Sequence, residues 1–588
     1  MKDPLARFED AVLIDTEFLP EPGEPVIPLC VVWRSFRTKE THRRWVTELE
    51  PSPPYPTGKN VLIVGYYLPA ELGFHRAMGW STPERMVDLC VEFKNLFNCL
   101  ETIVDLKPEL KGDEKFGSRS QRGALLQFGL GGITSKKEME GLIERELERI
   151  KRGRSYSYNV SEREVFLETC ERDIDGLDKL FRVMLPRLDI PRAIYRARYQ
   201  NCVAAMEELG IPVDVPLLDR LRERFPAIRE ELISRVDAPF GVYDGTTFRR
   251  KEFERLLREL GIAWPRYSNG ALILEEDTVS DMCKLHPVLT PLKELRNSLS
   301  KFRANDWKVG RDGFVRTQLW SFSTKTSRNA PSSTAFPFST NKWERSLIKP
   351  PPGSAVAYGD FKCMEIGVAA YLSGDTALQT AYQSDDVYLG FAKLAGTVPP
   401  DATKESHPYE RDLYKTVMLA IGFGMEERSL AVRIGQPLLV ARRLLQQHRD
   451  IFWRYWQWSD NRVHRAMLTG TTFTVFGWMY HVAKNPNLRS IRNFPIQANA
   501  AEIMRLAICY CIESGLKICC SVHDAALLLS PLETFDSDIE KMRGFMERAS
   551  EVVLGGFKLK TEFIVARYPD RYVDPRGAPF WKVITELL

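Results

Sequence analysis

Two acidic residues in the second half of the chain, each beside an apolar β-type run, constrain the fold most strongly. Asp360 ends the run Ser354–Asp360, which reads Ser-Ala-Val-Ala-Tyr-Gly-Asp. Asp524 follows His523 in a short break between two further apolar runs, so a hairpin with these two residues at its tip is predicted. Separated carboxylates of this kind could hold divalent metal ions, because hard cations prefer oxygen ligands.

A basic helix is predicted between these two acids. Arg411 and Lys415 lie one helical turn apart, and Leu419 and Phe423 continue the same four-residue step. Residues at this spacing fall along one slowly drifting face of a helix, which could line a bound triphosphate. Phosphoryl transfer by two metal ions needs carboxylates that hold the ions and cations that neutralise the phosphates. The pattern therefore suits the joining of a nucleotide to a primer.

Each of these features has a simpler interpretation when it is taken alone. Asp360 could be an acid at a strand end, and Glu365 an acid that stabilises a helix N-terminus. A lone His-Asp pair such as His523 and Asp524 is usually structural. The order of three motifs along one chain argues against coincidence, and it resembles motifs A, B and C of the family A DNA polymerases. The resemblance covers nearly the whole chain.

The resemblance implies a role for each motif residue. The implied catalytic residues are Asp360, Asp524 and Lys415, with Asp360 and Asp524 holding two Mg²⁺ ions and Lys415 as general acid for pyrophosphate. The residues implied to contact the incoming deoxynucleotide are Arg411, Lys415, Leu419, Phe423, Glu365 and Tyr388. The residues implied to contact DNA are Arg328, Arg489, Asn493, Gln497 and His523.

Several of these positions depart from the family pattern. Leu419 replaces an aromatic residue near the sugar, and Phe423 replaces the tyrosine beside the templating base. Tyr388 stands where the family often has a phosphate-binding histidine, and Ala525 removes the glutamate that commonly follows the motif C aspartate. Glu365 keeps the family's steric gate, which crowds a ribose 2′-OH and so favours deoxynucleotides.

A second acidic constellation lies in the first third of the chain. Asp15 and Glu17 close the β-type run Ala11–Glu17, and residues i and i+2 of a strand point to the same side. With Glu71 and Asp173, they resemble in spacing and order the proofreading 3′–5′ exonuclease domain of the same family. The resemblance implies a site for Mg²⁺ or Mn²⁺, with Asp15, Glu17 and Asp173 as ligands and Glu71 as a fourth exonuclease residue.

Three positions of this region differ from the family's exonuclease motifs. The second motif usually carries Asn and Asp, where this chain has Tyr67 and Glu71. The third motif usually has Tyr four residues before its Asp, where this chain has Thr169. Glu71 can still ligate a metal ion, whereas Thr169 cannot orient water with a phenol. A weakened exonuclease is one interpretation, and a solvated strand end at Asp15 and Glu17 is another.

We therefore predict an α/β and α+β multidomain chain, with an RNase H-like exonuclease domain followed by a right-hand polymerase domain. The predicted units are 1–195 (exonuclease-like, with a charged helical insertion at about 102–164), 196–310 (thumb and start of the polymerase domain), 311–375 (palm with motif A), 376–480 (fingers with motif B) and 481–588 (palm with motif C and the C-terminal tail). The insertion should contain an amphipathic helix at 136–150. Residues 312–320 alternate like a strand.

Composition sets the broad class. A length of 588 residues exceeds one core, and 44% hydrophobic with 27% charged residues is typical of soluble globular proteins. The net charge of +4 does not by itself indicate a nucleic-acid partner, so any basic surface must be local. The 11 cysteines form no C-x-x-C pair, which favours reduced core residues. With no signal-peptide core and no membrane-length apolar run, we expect a cytoplasmic protein, in the host cytoplasm if phage-encoded.

The expected partners are primer–template DNA and deoxynucleoside triphosphates, without a membrane; a monomer is expected, with replisome or processivity proteins as further partners. A tail that resembles bacteriophage members, and no room for an N-terminal 5′-nuclease, favour a phage replicative enzyme. Two alternatives stay open. Glu365 argues against a single-subunit RNA polymerase, and intact Asp360, Lys415 and Asp524 argue against a non-catalytic DNA-binding or processivity factor.

Overall fold

The structure is a computed structural model that describes residues 3–111, 117–131, 136–300, 304–422 and 424–588. Phe423 lies outside the described residues, so its predicted contact with the deoxynucleotide stays a prediction. The strands of the described residues are β1 (Asp10–Leu19), β2 (Ile27–Ser35), β3 (Thr41–Trp45), β4 (Val61–Gly65), β5 (Met86–Asp88), β6 (Ile211–Pro212), β7 (Tyr243–Asp244), β8 (Thr247–Phe248), β9 (Phe314–Val315), β10 (Ser354–Phe361), β11 (Thr471–Phe473), β12 (Met479–His481), β13 (Lys517–Val522), β14 (Ala525–Pro531) and β15 (Thr561–Arg567).

The helices of the same ranges are α1 (Leu68–Ala77), α2 (Leu89–Leu96), α3 (Ile103–Leu106), α4 (Gln121–Gln127), α5 (Lys137–Lys151), α6 (Val160–Met184), α7 (Ile190–Leu209), α8 (Val215–Asp237), α9 (Arg250–Glu259), α10 (Glu276–Leu285), α11 (Thr290–Ser300), α12 (Met364–Ser373), α13 (Thr376–Gln383), α14 (Val387–Leu394), α15 (Pro408–Gly422), α16 (Glu427–Ile434), α17 (Leu438–Ile451), α18 (Trp453–Thr469), α19 (Leu488–Glu513), α20 (Phe535–Val553) and α21 (Ala578–Glu586). In the described part of the chain, no helix is long and apolar enough to cross a membrane.

The N-terminal sheet has five strands in the order β3-β2-β1-β4-β5. β4 reads Val-Leu-Ile-Val-Gly and is buried at every residue, as expected for a strand covered on both faces. β1 pairs antiparallel with β2 and parallel with β4, and it continues to Leu19. The prediction that the strand ends at Glu17 is therefore wrong. The β1–β2 register shifts between Glu17 and Phe18, and such irregularities often re-aim side chains beside functional sites.

The central sheet has four strands in the order β13-β14-β10-β15, all antiparallel to their neighbours. It carries the predicted motif A strand as β10 and the predicted motif C hairpin as β13 and β14. Helix α20 packs on β10 and β14, and α7 packs on β13. The sequence prediction of these three strands is confirmed, because each is an apolar run bounded by polar turns.

Helix α7 connects the two sheets, since it packs against β5 of the first and β13 of the second. Its Arg196 donates two hydrogen bonds to Glu92 of α2, at 2.7 and 2.6 Å, and both side chains are only 3% exposed. Removal of one partner of a buried ion pair generally lowers the stability of the folded protein by about 3–5 kcal/mol. This pair therefore fixes the N-terminal sheet against the helix that also packs on the central sheet.

The segment 312–320 differs from its predicted strand. Only Phe314–Val315 is a strand, paired with β6, and the chain beyond it is irregular. The backbone N–H of Leu319 donates to the Glu207 carboxylate at 2.6 Å, and Trp320 has a positive φ of 46°. The Leu319 N–H thus bonds to a side chain and not to a neighbouring strand. The alternating apolar pattern alone does not make a strand here, because the described residues offer no strand for this part of the segment to pair with.

Candidate active site

The central sheet brings the two predicted metal-binding aspartates together. Asp360 is the second-last residue of β10 and pairs with Ala525, the first residue of β14. His523 and Asp524 form the two-residue turn before β14, and His523 has the positive φ (55°) that such hairpin turns need at their first position. The backbone N–H of Phe361 donates to the Asp524 carbonyl oxygen at 3.2 Å, which ties the turn to β10.

The electrostatics of this pair suit a bound cation. Burial, together with the negative charges of Asp524 and Glu562, raises the pKa of Asp360 to about 8. Burial also raises the pKa of Asp524. Asp360 Oδ1 is buried and has no hydrogen-bond partner among the described residues. Carboxylates that are costly to ionise without a partner are the groups that a divalent cation would stabilise, so the residues fit a metal site.

A cavity of about 900 Å³ is lined by these two acids and by basic residues. Arg411 and Lys415 of α15 line it, as does Tyr388 of α14. The ring of Tyr388 lies 5.6 Å from the Arg411 guanidinium carbon and 5.9 Å from Lys415 Nζ. Arg411 Nε also donates to Asp386 at 2.5 Å. The predicted triphosphate residues therefore share one wall, and a phosphate would compete with Asp386 for Arg411.

The predicted sugar gate has a partner within the chain. Glu365, on the first turn of α12, accepts a hydrogen bond from Arg328 Nη2 at 2.9 Å. Glu365 also borders a small cavity of about 60 Å³ with Leu419, Asn493 and Gln497. Four predicted residues thus meet beside the gate. In addition, Asn493 Oδ1 is buried without a hydrogen-bond partner in the described residues, as expected of a group that waits for a ligand.

The predicted DNA-contact residues fall into two places. Arg328 and His523 line a cavity of about 350 Å³ beside the motif C turn. Asn493 and Gln497 belong to the small cavity at the gate, and Arg489 precedes them on α19, where its Nη2 lies 3.6 Å from Glu426 Oε1. Arg328 and His523 therefore share one cavity, and Asn493 and Gln497 share another.

The four predicted exonuclease residues also converge. Asp15 and Glu17 lie on β1, Glu71 on α1 and Asp173 on α6. Thr16 Oγ1 donates to Glu71 Oε2 at 2.5 Å, and burial raises the pKa of Glu71 to about 8. Burial and the charges of Asp173, Glu71 and Glu17 raise the pKa of Asp15 well above its usual value. Asp15 Oδ2 and Asp173 Oδ1 are buried without hydrogen-bond partners in the described residues, which fits a cation site.

A lysine that the sequence did not reveal lies among these acids. Lys136, just before α5, places Nζ 2.5 Å from Asp173 Oδ2 and 3.4 Å from Glu17 Oε1. Burial opposes its charge, but Glu17, Asp173 and Asp15 outweigh burial and raise the pKa of Lys136 well above its usual value. The charged insertion, predicted to contain an amphipathic helix, therefore also places a cation in the acidic cluster.

The solved structure titled POL domain of Pol1 from M. smegmatis, in complex with DNA primer-template and dNTP, has a similar fold, with a TM-score of 0.72 at 14% identity over 96% of both chains. This likeness assigns the chain to the polymerase fold class. Residues 267–567 match the sequence model of DNA polymerase family A. The chain belongs to this family.

Two curated relatives agree with that assignment. The thermostable DNA polymerase I of Thermus thermophilus is 24% identical over 411 residues, which are 63% of this chain and 48% of that protein. DNA polymerase I of Chloroflexus aurantiacus is 24% identical over 403 residues, 63% of this chain and 41% of that protein. The matched residues thus span less than half the length of these curated relatives.

Proposed function

We propose that the chain is a DNA-templated DNA polymerase that adds deoxynucleotides to a primer 3′-OH. The observation that carries the proposal is the pairing of β10 with β14, which sets Asp360 and Asp524 beside one cavity that Arg411 and Lys415 also line. Two acids and two cations that line one cavity match the charge pattern of an incoming triphosphate and its counter-ions. Membership of family A supports the same reaction.

The proposed reaction assigns tasks to residues that line this cavity and to Glu365. Divalent cations such as Mg²⁺, when bound, would neutralise the attacking and leaving oxygens. Asp360 and Asp524 would hold these cations. Arg411 would exchange its ion pair with Asp386 for a contact with the triphosphate. Lys415 would hold the same phosphates and give a proton to the departing pyrophosphate. Glu365 would exclude a ribose 2′-OH.

The N-terminal part is proposed to be a proofreading 3′–5′ exonuclease domain of RNase H-like fold. Asp15, Glu17 and Asp173 would hold Mg²⁺ or Mn²⁺ there, with Glu71 beside them. The same proposal includes the five domain ranges predicted from the sequence. It also includes a monomeric state, a phage origin and action in the cytoplasm of a host cell. The convergence of four acids, without Tyr at the third motif, supports a site that works slowly.

The first experiment is incubation of the protein and Mg²⁺ with a labelled primer–template, with and without deoxynucleotides. Elongation with nucleotides supports the polymerase, and stepwise shortening without them supports the exonuclease. Elongation without shortening would mean a silent proofreading domain. DNA binding without elongation would favour the DNA-binding factor instead, and elongation only with ribonucleotides would favour an RNA polymerase.

Removal of the gate carboxylate should weaken sugar discrimination. In Glu365→Ala, the space beside the sugar opens, so we expect incorporation of ribonucleotides relative to deoxynucleotides to rise by about 10- to 100-fold. Glu365→Gln keeps the side-chain volume and should change the ratio much less. The measurement is kcat/KM for a matched pair of nucleotides. An unchanged ratio in Glu365→Ala would contradict the gate.

Removal of Lys136 should help metal ions enter the exonuclease site. Lys136 and a divalent cation compete for Glu17 and Asp173, so Lys136→Met should lower the Mn²⁺ concentration for half-maximal primer shortening by about fivefold, a difference of about 1 kcal/mol. The same variant should gain more thermal stability from Mn²⁺ than the unmodified chain gains. Lys151→Met, at the other end of α5, is the matched control. Equal Mn²⁺ dependence in both variants would refute competition.

A further inference from the structure

The central sheet places three residues in one row beside the motif A aspartate. Asp360 pairs with Ala525 on β14 and with Glu562 on β15. Directly opposite residues of antiparallel strands point to the same face, with Cβ atoms about 5 Å apart. The row therefore has Asp360 in the middle, a methyl group on one flank and a carboxylate on the other.

The two residues that flank Asp360 in this row, Ala525 and Glu562, differ in charge. Ala525 occupies the position where family members commonly have a glutamate, so the chain lacks a carboxylate on the β14 side. Glu562 supplies a carboxylate on the β15 side, and it lines the same 900 Å³ cavity as Asp360, Asp524 and Lys415.

Glu562 is also free to move toward a cation. Its partner in the chain is Lys362, whose Nζ lies 3.6 Å from Glu562 Oε2, and the two side chains are 47% and 57% exposed. Exposed ion pairs of this kind contribute little to stability. A divalent cation near Asp360 would therefore displace Lys362 at little cost, whereas a buried pair would resist the exchange.

We propose that Glu562 is the third carboxylate of the polymerase metal site, and that it takes over from β15 the place left by Ala525 on β14. The inference rests on the proposed polymerase function, since it assigns a further residue to that site. Glu562 would hold a divalent cation directly or through a bound water, and so raise the affinity of the site for metal. It would have no part in nucleotide selection.

The test is a titration of Mn²⁺ binding by electron paramagnetic resonance. The protein carries Asp15→Asn to weaken the exonuclease site, and it is bound to a primer–template with a 3′-deoxy end and the next deoxynucleotide, so that no turnover occurs. Glu562→Gln should weaken Mn²⁺ binding by about tenfold, as loss of a metal-supporting group generally does. Primer extension should need about tenfold more Mg²⁺ but should recover its maximal rate at saturation.

Two further variants make the result specific. Glu533→Gln removes the same charge from the exposed turn after β14, away from the cavity, and should leave the titration unchanged. Ala525→Glu, added to Glu562→Gln, returns a carboxylate to the opposite flank of Asp360 and should restore most of the Mn²⁺ affinity.

The two proposals fail in different ways. If the unmodified chain does not extend a primer, the polymerase function is wrong. If it extends the primer but Glu562→Gln binds Mn²⁺ as Glu533→Gln does, only the role of Glu562 is overturned. A rate loss in Glu562→Gln that persists at saturating Mg²⁺, with unchanged Mn²⁺ binding, would also overturn it.

Discussion

Replacement of either Asp360 or Asp524 by asparagine is expected to lower the single-turnover rate of primer extension by about 1,000-fold or more, which corresponds to about 4 kcal/mol of transition-state stabilisation. Asparagine keeps the shape of each side chain but removes the negative charge that would hold the cations. Because both residues would act on the same cations, the double variant should be little worse than either single variant. Rapid-quench extension of a labelled primer measures the single-turnover rate of each variant.

Binding of DNA separates a lost reaction from a lost fold. Both variants should bind primer–template DNA nearly as well as the unmodified chain, since phosphate contacts away from the acids dominate affinity. Asp385→Asn, an exposed acid on the rim of the same cavity, is the control and should keep the rate within a few-fold. Extension at a normal rate in either aspartate variant would refute the metal assignment.

Sequence patterns predict an element well where the spacing of its apolar residues matches the face that the fold buries. β10 and the β13–β14 hairpin are apolar runs that stop at polar turns, and they form as predicted. Helix α5 also forms where its apolar stripe indicates, at Lys137–Lys151 instead of 136–150. The strand predicted for 312–320 forms only at Phe314–Val315, and further on Glu207 accepts the Leu319 N–H in place of a strand partner.

The candidate sites are predicted only as far as their motifs extend. Asp360, Asp524 and Lys415 are recognisable because local context and order carry the signal. Glu562 and Lys136 have no local signal: the first depends on the register of β15 against β10, and the second on how the insertion returns to the N-terminal sheet. Such contacts join distant segments, and periodicity in a single segment cannot encode them.

Two arginines of the candidate polymerase site are each held by an acid of the chain itself: Arg411 by Asp386, and Arg328 by Glu365. Such pairs keep a guanidinium oriented before a phosphate or a primer end arrives, and the exchange of one anion for another costs less than ordering a free side chain. Binding of substrate should therefore open these pairs.

Lys415 is expected to be the residue of the triphosphate wall whose loss costs most. Lys415→Met removes both a phosphate contact and the proposed proton donor, so we expect the single-turnover rate to fall by about 1,000-fold at saturating nucleotide. Lys415→Arg restores the charge but cannot release a proton near neutral pH, so it should recover nucleotide affinity and not the rate. Lys404→Met, which removes an exposed lysine from the same cavity, should leave the rate nearly unchanged. If Lys415→Arg recovered the full rate, proton donation by Lys415 would be excluded, and its role would be reduced to binding phosphate.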